Sequence, residues 1–395
     1  MAESSTQRDI PRGPAKRVDG LAAPRPEVLA SITDQHVLRV IGDSPAPVSR
    51  AEIAEATGLS KPAVSAAAAR LLERGVLRDV GVREGRRGGV ATLFEIDPNH
   101  GRSMAVVIQD DAITVQTRDL HGVVRAELEA AVSSESRRAE LILLVNGLIA
   151  DAQQAFPAPL LAATVSIADP VDAKLGVPLV LERSVFPAVP LDPRAAFDLS
   201  DAAQVVIDND VNWATLGEFR EGALHGCENF VYIHFGRGIG GGMLLDGRLY
   251  RGHRGLAGEV GYLRDGGSEH RDITERLAAA GLGTAGQYGL DLRMATEHLS
   301  RSPLTSVALE AADVLALAIA NVAIAVNPQA VAFGGPLSTF PAFTEALRER
   351  IARVSIDTPE LVVSTSTPLL GAGLEAHRLA LQEAGLPQPT ESPAR

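Results

Sequence analysis

The chain carries at residues 48–87 the stretch VSRAEIAEATGLSKPAVSAAAARLLERGVLRDVGVREGRR. Ser49 and Glu52 are predicted to form a capping box, in which the serine hydroxyl accepts from the Glu52 amide and the glutamate side chain reaches back. Gly58 should end this first helix, because glycine adopts a left-handed conformation at little cost. Ser60 then caps a second helix. The pattern predicts two short helices joined by a tight turn.

The second helix has one apolar face and one face of small or basic side chains. Helical spacing places on the apolar face Val64, Ala67, Ala68, Leu71 and Leu72. The positions that point elsewhere are Lys61, Ser65, Ala66 and Arg70. Two helices with a glycine-containing turn between them, the second with small and basic residues outward, are typical of a helix-turn-helix.

A basic hairpin follows the second helix, with predicted strands at 76–80 and 91–96. Its tip, residues 81–89, carries Arg83, Arg86 and Arg87. A glycine-flanked arginine pair can enter the minor groove of DNA, whose negative potential is deepest in narrow A·T tracts. The alternative is a helical hairpin inside a larger domain with a solvated charged loop. The order of cap, turn, helix and wing favours a DNA-binding winged helix.

Composition and charge limit what the rest of the chain can be. Its 395 residues are 46% hydrophobic, enough for two or three domains with cores. Cys227 is the single cysteine, which excludes a disulfide scaffold and fits a reducing, cytoplasmic environment. No uninterrupted apolar run of membrane-spanning length and no signal peptide is recognised, so no membrane partner is expected.

The charge is unevenly distributed along the chain. Residues 1–100 hold 14 Lys and Arg against 13 Asp and Glu, whereas the whole chain has a net charge of -12. The acidic remainder should repel phosphate, so contact with DNA is expected to be local to the N-terminal module.

The remaining sequence predicts an α/β body between two tails. Residues 1–24 are rich in Pro, Gly, Ser and charge and are expected to be disordered, as is 386–395. Residues 25–98 form the predicted winged helix, with a support helix over 26–41, and 102–385 form the body. Strands are predicted in the body at 104–108, 112–118, 123–130, 161–167, 204–207, 230–234 and 242–245. Helices are predicted at 137–155, 211–221, 272–279, 307–326 and 371–384. Alternating strands and helices indicate layered α/β lobes.

Four motifs follow one another in the body. They are Asn-Asp-Val-Asn at 209–212, a glycine-rich segment at 236–242, Arg-Gly-His-Arg-Gly-Leu-Ala-Gly-Glu-Val-Gly-Tyr at 251–262, and Asn-Pro at 327–328 with Phe-Gly-Gly at 333–335. Together with the winged helix they resemble the repressor-type members of the ROK family (repressor, open reading frame, kinase), over about residues 26–384. The resemblance implies a two-lobed, actin-like ATPase fold of the ribonuclease H-like class, with sugars bound in the cleft.

The first hairpin of the body departs from the kinase members of that family. They carry Asp-x-Gly-Gly-Thr where this chain has Val-Ile-Gln-Asp-Asp at 107–111. Asp110 and Asp111 thus stand where glycine amides would approach ATP phosphates, and like charges in a partly dry cleft repel by on the order of a few kcal/mol. We therefore expect poor ATP binding, no cofactor and no catalysis, and interpret both acids as a polar hairpin turn. The segment 236–242 is likewise interpreted as a turn rather than a phosphate cradle.

The zinc motif of the family is also missing. Members often follow the sugar motif with a cysteine cluster that shares a metal with the motif's histidine, but here Tyr262 replaces that histidine and 263–275 contain no cysteine. One cysteine cannot build a thiolate zinc site. No metal is expected, and His253 and His270 are predicted to be surface residues. Either packing alone holds the loop of the sugar motif, or the loop is held loosely.

A candidate sugar pocket remains. Asn209 and Asp210 follow a predicted strand at its carboxyl end, where clefts of α/β proteins open, and they offer donors and acceptors to vicinal hydroxyls. Asp210 matches the base of the kinase members, but without a phosphate donor it can only bind, and its alternative role is to cap the next helix. Glu259 and Tyr262 complete the predicted site, although Glu259 is alternatively a solvated loop acid. Trp213 is predicted to be a core residue rather than a stacking platform.

These features predict a cytoplasmic transcriptional regulator, a repressor of carbohydrate uptake or metabolism genes whose DNA affinity is modulated by a sugar in the cleft. The predicted DNA contacts are Ser60, Lys61, Ser65, Arg70, Arg86 and Arg87. The predicted partners are a double-stranded operator, a sugar effector and further copies of the chain, in a homodimer or tetramer. Two alternatives remain open: a ligand-independent dimeric regulator, and an ATP-dependent sugar kinase with an appended DNA module.

Overall fold

The computed structural model describes residues 26–84, 90–132, 138–179, 181, 183, 191–264, 270–284 and 286–388. Its N-terminal part is a winged helix. The elements are α1 (Pro26–Gly42), β1 (Val48–Ser49), α2 (Arg50–Thr57), α3 (Lys61–Glu73), β2 (Leu77–Glu84) and β3 (Val90–Ile96). The strands form an antiparallel sheet in the order β1-β3-β2. The predicted N-terminal tail, residues 1–24, lies outside the described residues.

The predicted helix caps are confirmed. The Ser49 hydroxyl accepts from the Glu52 amide at 3.4 Å, and the Glu52 carboxylate accepts from the Ser49 amide at 2.8 Å. Gly58 adopts a φ of 71°, and the Ser60 hydroxyl accepts from the Ala63 amide. The predicted apolar face of α3 is buried, with 0% exposure at Val64, Ala67, Ala68 and Leu71. Local side-chain chemistry therefore sets where these two helices begin and turn.

The wing has longer strands and a shorter tip than predicted. β2 continues past a bulge between Asp79 and Val82, where Gly81 has a φ of 112°. The prediction that Arg83 lies on the tip is therefore wrong, because Arg83 belongs to β2 and pairs with Glu52 of α2 at 2.7 Å. A bulge absorbs extra residues in one strand while the pairing continues beyond it.

The N-terminal lobe of the body is a five-stranded sheet covered on both faces. Its elements are β4 (Arg102–Ile108), β5 (Ala112–Asp119), β6 (Val124–Ala131), α4 (Arg138–Ala155), β7 (Leu160–Ile167), α5 (Pro193–Ala196), β8 (Gln204–Asn209) and α6 (Asp210–Glu221). The strand order is β6-β5-β4-β7-β8, and β4, β7 and β8 are parallel. One face packs on α4, while Ala105 and Val107 on the other face pack on Trp213 of α6. The carboxyl ends of the three parallel strands meet at one edge, where a ligand cleft is expected.

The C-terminal lobe has a second five-stranded sheet, in the order β11-β10-β9-β12-β13. Its elements are β9 (Phe230–Phe235), β10 (Ile239–Leu245), β11 (Arg248–Leu249), α7 (Ile273–Leu277), α8 (Leu292–Leu299), α9 (Ser306–Val326), β12 (Ala330–Gly334), α10 (Pro341–Val354) and β13 (Glu360–Val363). The last helix, α11 (Pro368–Glu383), returns to the N-terminal lobe, where Ala372 packs with Ala105 and Val107 of β4. Four of these elements, β12, β13, α8 and α10, were not predicted from the sequence. Every residue of β12 is buried, so its sequence lacks the alternation that marks a half-exposed strand.

α9 is long and apolar enough to cross a membrane by length and composition, although Glu310 and Asp313 interrupt its apolar sequence. More than half of its most apolar window, 56%, is buried inside the protein. Leu315, Ile319 and Val322 of this helix pack in the core of the C-terminal lobe with Phe333 and Phe343. α9 is therefore the central core helix of that lobe.

α11 connects the body with the winged helix. At one end Gly371 crosses α6 so closely that a Cβ atom there would overlap the Trp213 carbonyl oxygen. The other end of α11 shares one hydrophobic core with the winged helix, in which Leu379, Leu381, Ala384 and Leu386 join Val37, Ile41, Ile53 and Phe94. Leu386 is 5% exposed, so the predicted C-terminal tail begins with packed residues, and residues from 389 onward lie outside the described ones.

Candidate functional site

The outer face of α3 carries few polar groups. Lys61, Ser65, Ala66 and Ala69 are exposed on it, and Ser60 is exposed at its start. The Ser60 hydroxyl accepts a capping hydrogen bond at 3.4 Å, so part of its capacity is used within the protein. With one cation and two hydroxyls, this face can make few direct contacts with base edges.

Arg70 is turned towards α1. Its Nη2 lies 2.6 Å from Oδ1 of Asp34, and its Nε lies 3.4 Å from Oδ2 of the same carboxylate. This ion pair fastens α3 to α1, and the role of Arg70 on DNA stays a prediction. Arg86 and Arg87 lie outside the described residues, so their role on DNA also stays a prediction.

A cleft of about 150 Å³ lies between the two lobes. It is lined by all four predicted effector residues, Asn209, Asp210, Glu259 and Tyr262. Asn209 and Asp210 stand at the junction of β8 and α6 in the N-terminal lobe, whereas Glu259 and Tyr262 follow β11 in the C-terminal lobe. A ligand in this cleft would therefore touch both lobes.

The start of α6 engages the side chain of Asn209. Its Oδ1 accepts from the Val211 amide at 3.0 Å, and its Nδ2 donates to the Ala168 carbonyl at 3.1 Å. The alternative that Asp210 is the capping residue needs correction, because Asn209 is the N-cap and Asp210 lies in the first turn. The Asp210 carboxylate also accepts from the Val211 amide, at 2.8 Å. Of the two, Asp210 is better placed to meet a ligand.

The cleft floor is acidic. Burial, with Asp169 and Asp110 nearby, raises the pKa of Asp210 to about 7. Burial, with Asp210 and Asp169 nearby, raises the pKa of Glu259 to about 7 as well, so the alternative of a solvated loop acid is wrong. Near neutral pH such carboxyls share protons and can donate as well as accept hydrogen bonds. This arrangement suits a neutral polyol and disfavours an anion.

The two hairpins that would hold ATP phosphates in a kinase are tied to each other. Nε of Arg237, at the turn between β9 and β10, lies 2.9 Å from Oδ2 of Asp110, at the turn between β4 and β5. His234 lines the same corner, and burial lowers its pKa to about 4, so the imidazole is neutral at pH 7. Asp110 is therefore half of an ion pair between the lobes rather than the simple turn residue that we expected.

Among the cleft residues that were not predicted from the sequence are Asp169, His234 and Arg237. Asp169 follows β7 at the same sheet edge where Asn209 ends β8, so the strand pattern carried a signal for it. No local pattern predicted the role of Arg237, because its partner Asp110 belongs to a hairpin that is distant in sequence. Predictions for three residues outside the cleft floor are confirmed. Trp213 is a core residue, because it is 1% exposed and its indole N–H donates to the Val165 carbonyl at 3.1 Å. His253 and His270 are exposed surface residues.

Two family models match the chain. Residues 105–271 match the ROK family, and residues 33–88 match the MarR family. The first match contains the four predicted effector residues, and the second contains α2, α3 and β2 of the winged helix.

Individual relatives cover one or both parts. The bifunctional enzyme NanE/NanK of Brucella melitensis biotype 1 is 31% identical over 214 residues, which are 51% of this chain and 40% of that protein. The xylose repressor of Caldicellulosiruptor bescii is 24% identical over 354 residues, which are 82% of this chain and 88% of the repressor. A solved structure of a ROK family transcriptional regulator, a homolog of the E. coli MLC protein, has the same fold, with a TM-score of 0.59 and 19% identity over 90% of this chain and 99% of that one.

The chain spans less than half the length of two of the curated relatives that it matches. The matched regions nevertheless contain the four predicted effector residues and the helix-turn-helix formed by α2 and α3. Residues 105–271 therefore form a ROK family domain, and the N-terminal winged helix-turn-helix is of the MarR type.

Proposed function

We propose that the protein is a cytoplasmic DNA-binding repressor of carbohydrate uptake or metabolism genes, which binds a sugar without phosphorylating it. The observation that supports this most is the common core of α11 and the winged helix, because it joins a DNA reader to a sugar-kinase-like body. The xylose repressor of C. bescii aligns over 82% of the chain, which supports repression of sugar genes.

The DNA contacts would come from α3 and the wing. In this docking α3 enters the major groove and the wing reaches the minor groove. The proposed contacts are Ser60, Lys61, Ser65, Arg86 and Arg87. Arg70 is proposed to act indirectly, since its ion pair with Asp34 holds α3 at a fixed angle to α1. Because the face of α3 is poor in hydrogen-bonding groups, much of the affinity should depend on the wing.

Phosphoryl transfer is disfavoured by the pair between Asp110 and Arg237. A triphosphate would have to draw the guanidinium away from a carboxylate 2.9 Å distant and would then face that carboxylate and Asp111. Like charges at contact distance repel by on the order of a few kcal/mol at an intermediate dielectric. Asp210 would then bind ligand hydroxyls and activate nothing. Phosphorylation remains the rival function, because the relatives include a glucokinase.

The effector would be a neutral sugar. Asp210 and Glu259 face one cleft from opposite lobes, and both have a pKa of about 7. Each protonated carboxyl can donate one hydrogen bond to a sugar hydroxyl and accept another. An anionic ligand such as a sugar phosphate would instead meet the charges of Asp169 and Asp110.

α6 and α11 provide a physical path from the cleft to the DNA. α6 begins at the cleft, crosses α11 at Gly371, and α11 ends in the core of the winged helix. The crossing leaves no room for a single methyl group, so a displacement of α6 must displace α11 as well. Closure of the lobes on a sugar would therefore move the two DNA modules of a dimer relative to each other.

A second copy of the chain is proposed to bind the exposed stripe of α9. Leu317 and Ile324 are 46% and 66% exposed there, and Val354 and Ile356 extend the patch at 52% and 86%. Asn321 is exposed between Leu317 and Ile324, and an amide can both donate to and accept from its own copy across a two-fold axis. The resulting homodimer would read a pseudo-palindromic operator.

Three measurements on the full-length chain test the proposal. A genome-wide pull-down should enrich DNA upstream of sugar genes, and a panel of neutral sugars that includes D-xylose should contain one that raises the melting temperature. Incubation with ATP and that sugar should release no ADP above background. Turnover at a usual kinase rate, about 1–100 per second, would contradict the proposal. Enriched DNA without any thermal shift would favour the ligand-independent dimeric regulator.

A further inference from the structure

The loop of the sugar motif does not fit a zinc ion. The resemblance to the ROK family implies a cysteine cluster next to the motif, but Tyr262 replaces the histidine and the following residues hold no cysteine. Cys227 lies before the first residue of β9, whereas the loop packs on Ile239, which pairs with Phe235 at the other end of β9. Within the described residues, no group of three His, Cys, Asp or Glu side chains is placed to hold a metal ion.

An aromatic and ionic cluster occupies this place instead. The Tyr262 hydroxyl donates to the Arg183 carbonyl, and the Tyr262 ring lies 6.1 Å from the Tyr288 ring, centroid to centroid. The guanidinium of Arg183 lies over the Tyr288 ring at 5.6 Å and pairs with Glu275, with Asp272 at 3.7 Å. We refer to these five residues as the tyrosine–arginine clasp.

The clasp stands on the start of α7. Asp272 is the N-cap of this helix and forms a capping box with Glu275. The backbone of α7 therefore holds both carboxylates in place beside Arg183. Asp272 is nearly inaccessible, with 1% side-chain exposure, and also accepts from the Tyr288 hydroxyl at 3.3 Å. A cation beside two oriented carboxylates and an aromatic face gains charge-assisted and cation–π interactions together.

The clasp is directly connected to Glu259. A single 3-10 turn spans Val260–Tyr262, and the Tyr262 amide donates to the Glu259 carbonyl at 3.1 Å. On the other side, the Thr274 hydroxyl of α7 donates to the Gly261 carbonyl at 3.3 Å. Fixing the Tyr262 ring therefore fixes the backbone that presents Glu259 to the cleft.

The clasp also spans the cleft. Arg183 belongs to the segment between β7 and α5 of the N-terminal lobe, whereas the other four residues belong to the C-terminal lobe. Arg183, Tyr262 and Tyr288 all line the same cleft as Asp210. The strength of the clasp should therefore depend on the distance between the two lobes.

We propose that the tyrosine–arginine clasp holds the Glu259 loop by contacts between the two lobes, in the position that zinc holds in other family members. Tyr262 and Arg183 are thus positioning residues, which act on the ligand through Glu259. Only the sugar dependence of this inference rests on the proposed function; the metal-free support of the loop does not.

The test compares four full-length proteins: wild type, Tyr262→Phe, Arg183→Gln and the matched control Tyr250→Phe. Tyr250 is 51% exposed and lies outside the clasp. Each is measured for zinc by mass spectrometry and for amide hydrogen exchange of residues 256–264, with and without EDTA. Wild type should hold far less than one zinc per chain, and EDTA should not change the exchange rate of residues 256–264 in wild type. Both clasp variants should exchange this segment about tenfold faster, while α3 and the Tyr250→Phe protein stay at the wild-type rate.

Stoichiometric zinc in wild type, with faster exchange of 256–264 after EDTA, would overturn the proposal. Wild-type exchange rates in both clasp variants would overturn it too. If Arg183→Gln does not fold by circular dichroism, Arg183→Lys replaces it; lysine keeps the charge without the planar guanidinium and should give an intermediate rate.

A titration with D-xylose, or with the sugar that the thermal panel identifies, separates positioning from a general loss of structure. Tyr262→Phe should weaken sugar binding about tenfold and leave operator affinity in the absence of sugar unchanged. If wild type binds no sugar, the proposed effector loses its support, whereas the exchange experiment still decides whether the clasp holds the loop.

Discussion

Replacement of Asp210 by asparagine should stabilise the ligand-free protein at alkaline pH and have little effect at acidic pH. The folded protein holds the proton of Asp210 up to a pKa of about 7, whereas the unfolded chain releases it near pH 4. Between these values the folded state binds more protons, so its stability falls as the pH rises from about 4 to about 7. Asparagine keeps the oxygen that accepts from the Val211 amide and cannot ionise.

The size of the effect follows from the pKa. A change from 3.8 to about 7 spans about three pKa units, and each is worth about 1.4 kcal/mol, so the upper limit is about 4 kcal/mol. Asp210 faces water in the cleft and shares its protonation with Glu259, which reduces the expected gain to about 1–3 kcal/mol above pH 7. In a protein of this size that corresponds to a rise in melting temperature of about 2–5 °C.

Differential scanning calorimetry of wild type and Asp210→Asn at pH 5 and pH 8.5 measures this difference. The variant should melt higher at pH 8.5, and the two proteins should converge at pH 5. Asp151→Asn, at an exposed position of α4, is the control for loss of one negative charge at the surface. If Asp210→Asn melted lower than wild type at both pH values, or if its advantage were equal at both, a buried acid with a raised pKa would be refuted.

Three further changes test other parts of the protein. Replacing Arg86 and Arg87 together by alanine should weaken operator binding by roughly 2–4 kcal/mol, at about 1–2 for each lost contact, and an unchanged gel-shift titration would reject the role of the wing. Gly371→Ala should cost roughly 1–3 kcal/mol in urea unfolding, because the new methyl group meets a carbonyl of α6. Gly147→Ala on the exposed face of α4, with no atom within 4 Å of its new Cβ, should be neutral or stabilise by up to about 1 kcal/mol, so equal costs at both glycines would contradict the close crossing. Leu317→Glu should halve the mass in light scattering, and a full dimer in this variant would move the interface away from α9.

Local patterns in the sequence predicted the winged helix well. The capping box of Ser49 and Glu52 and the left-handed Gly58 depend on groups a few residues apart, so they can be recognised before the fold is known. The four effector residues also meet in one cleft, because the carboxyl end of β8 lies where parallel strands open towards ligands.

Pairings between distant segments could not be predicted in this way. The helical spacing placed Arg70 off the apolar face of α3, as expected for a DNA-binding residue. Its ion pair with Asp34 could not be predicted, because Asp34 lies on another helix. The ion pair of Arg237 with Asp110 and the contact of Tyr262 with Arg183 both join the two lobes, and their geometry exists only after the lobes have packed. The raised pKa of Glu259 has the same origin, since it depends on burial and on carboxylates from the other lobe.

The most direct measurement of the link between cleft and DNA is the operator affinity of the full-length protein, titrated with sugar and followed by fluorescence anisotropy. We predict a saturable, severalfold change in the operator Kd with one neutral sugar, and no such change in Asp210→Asn, which should still bind the operator. An operator Kd that no sugar of a broad panel alters, or sugar phosphorylation at an enzymatic rate under the same conditions, would contradict the account.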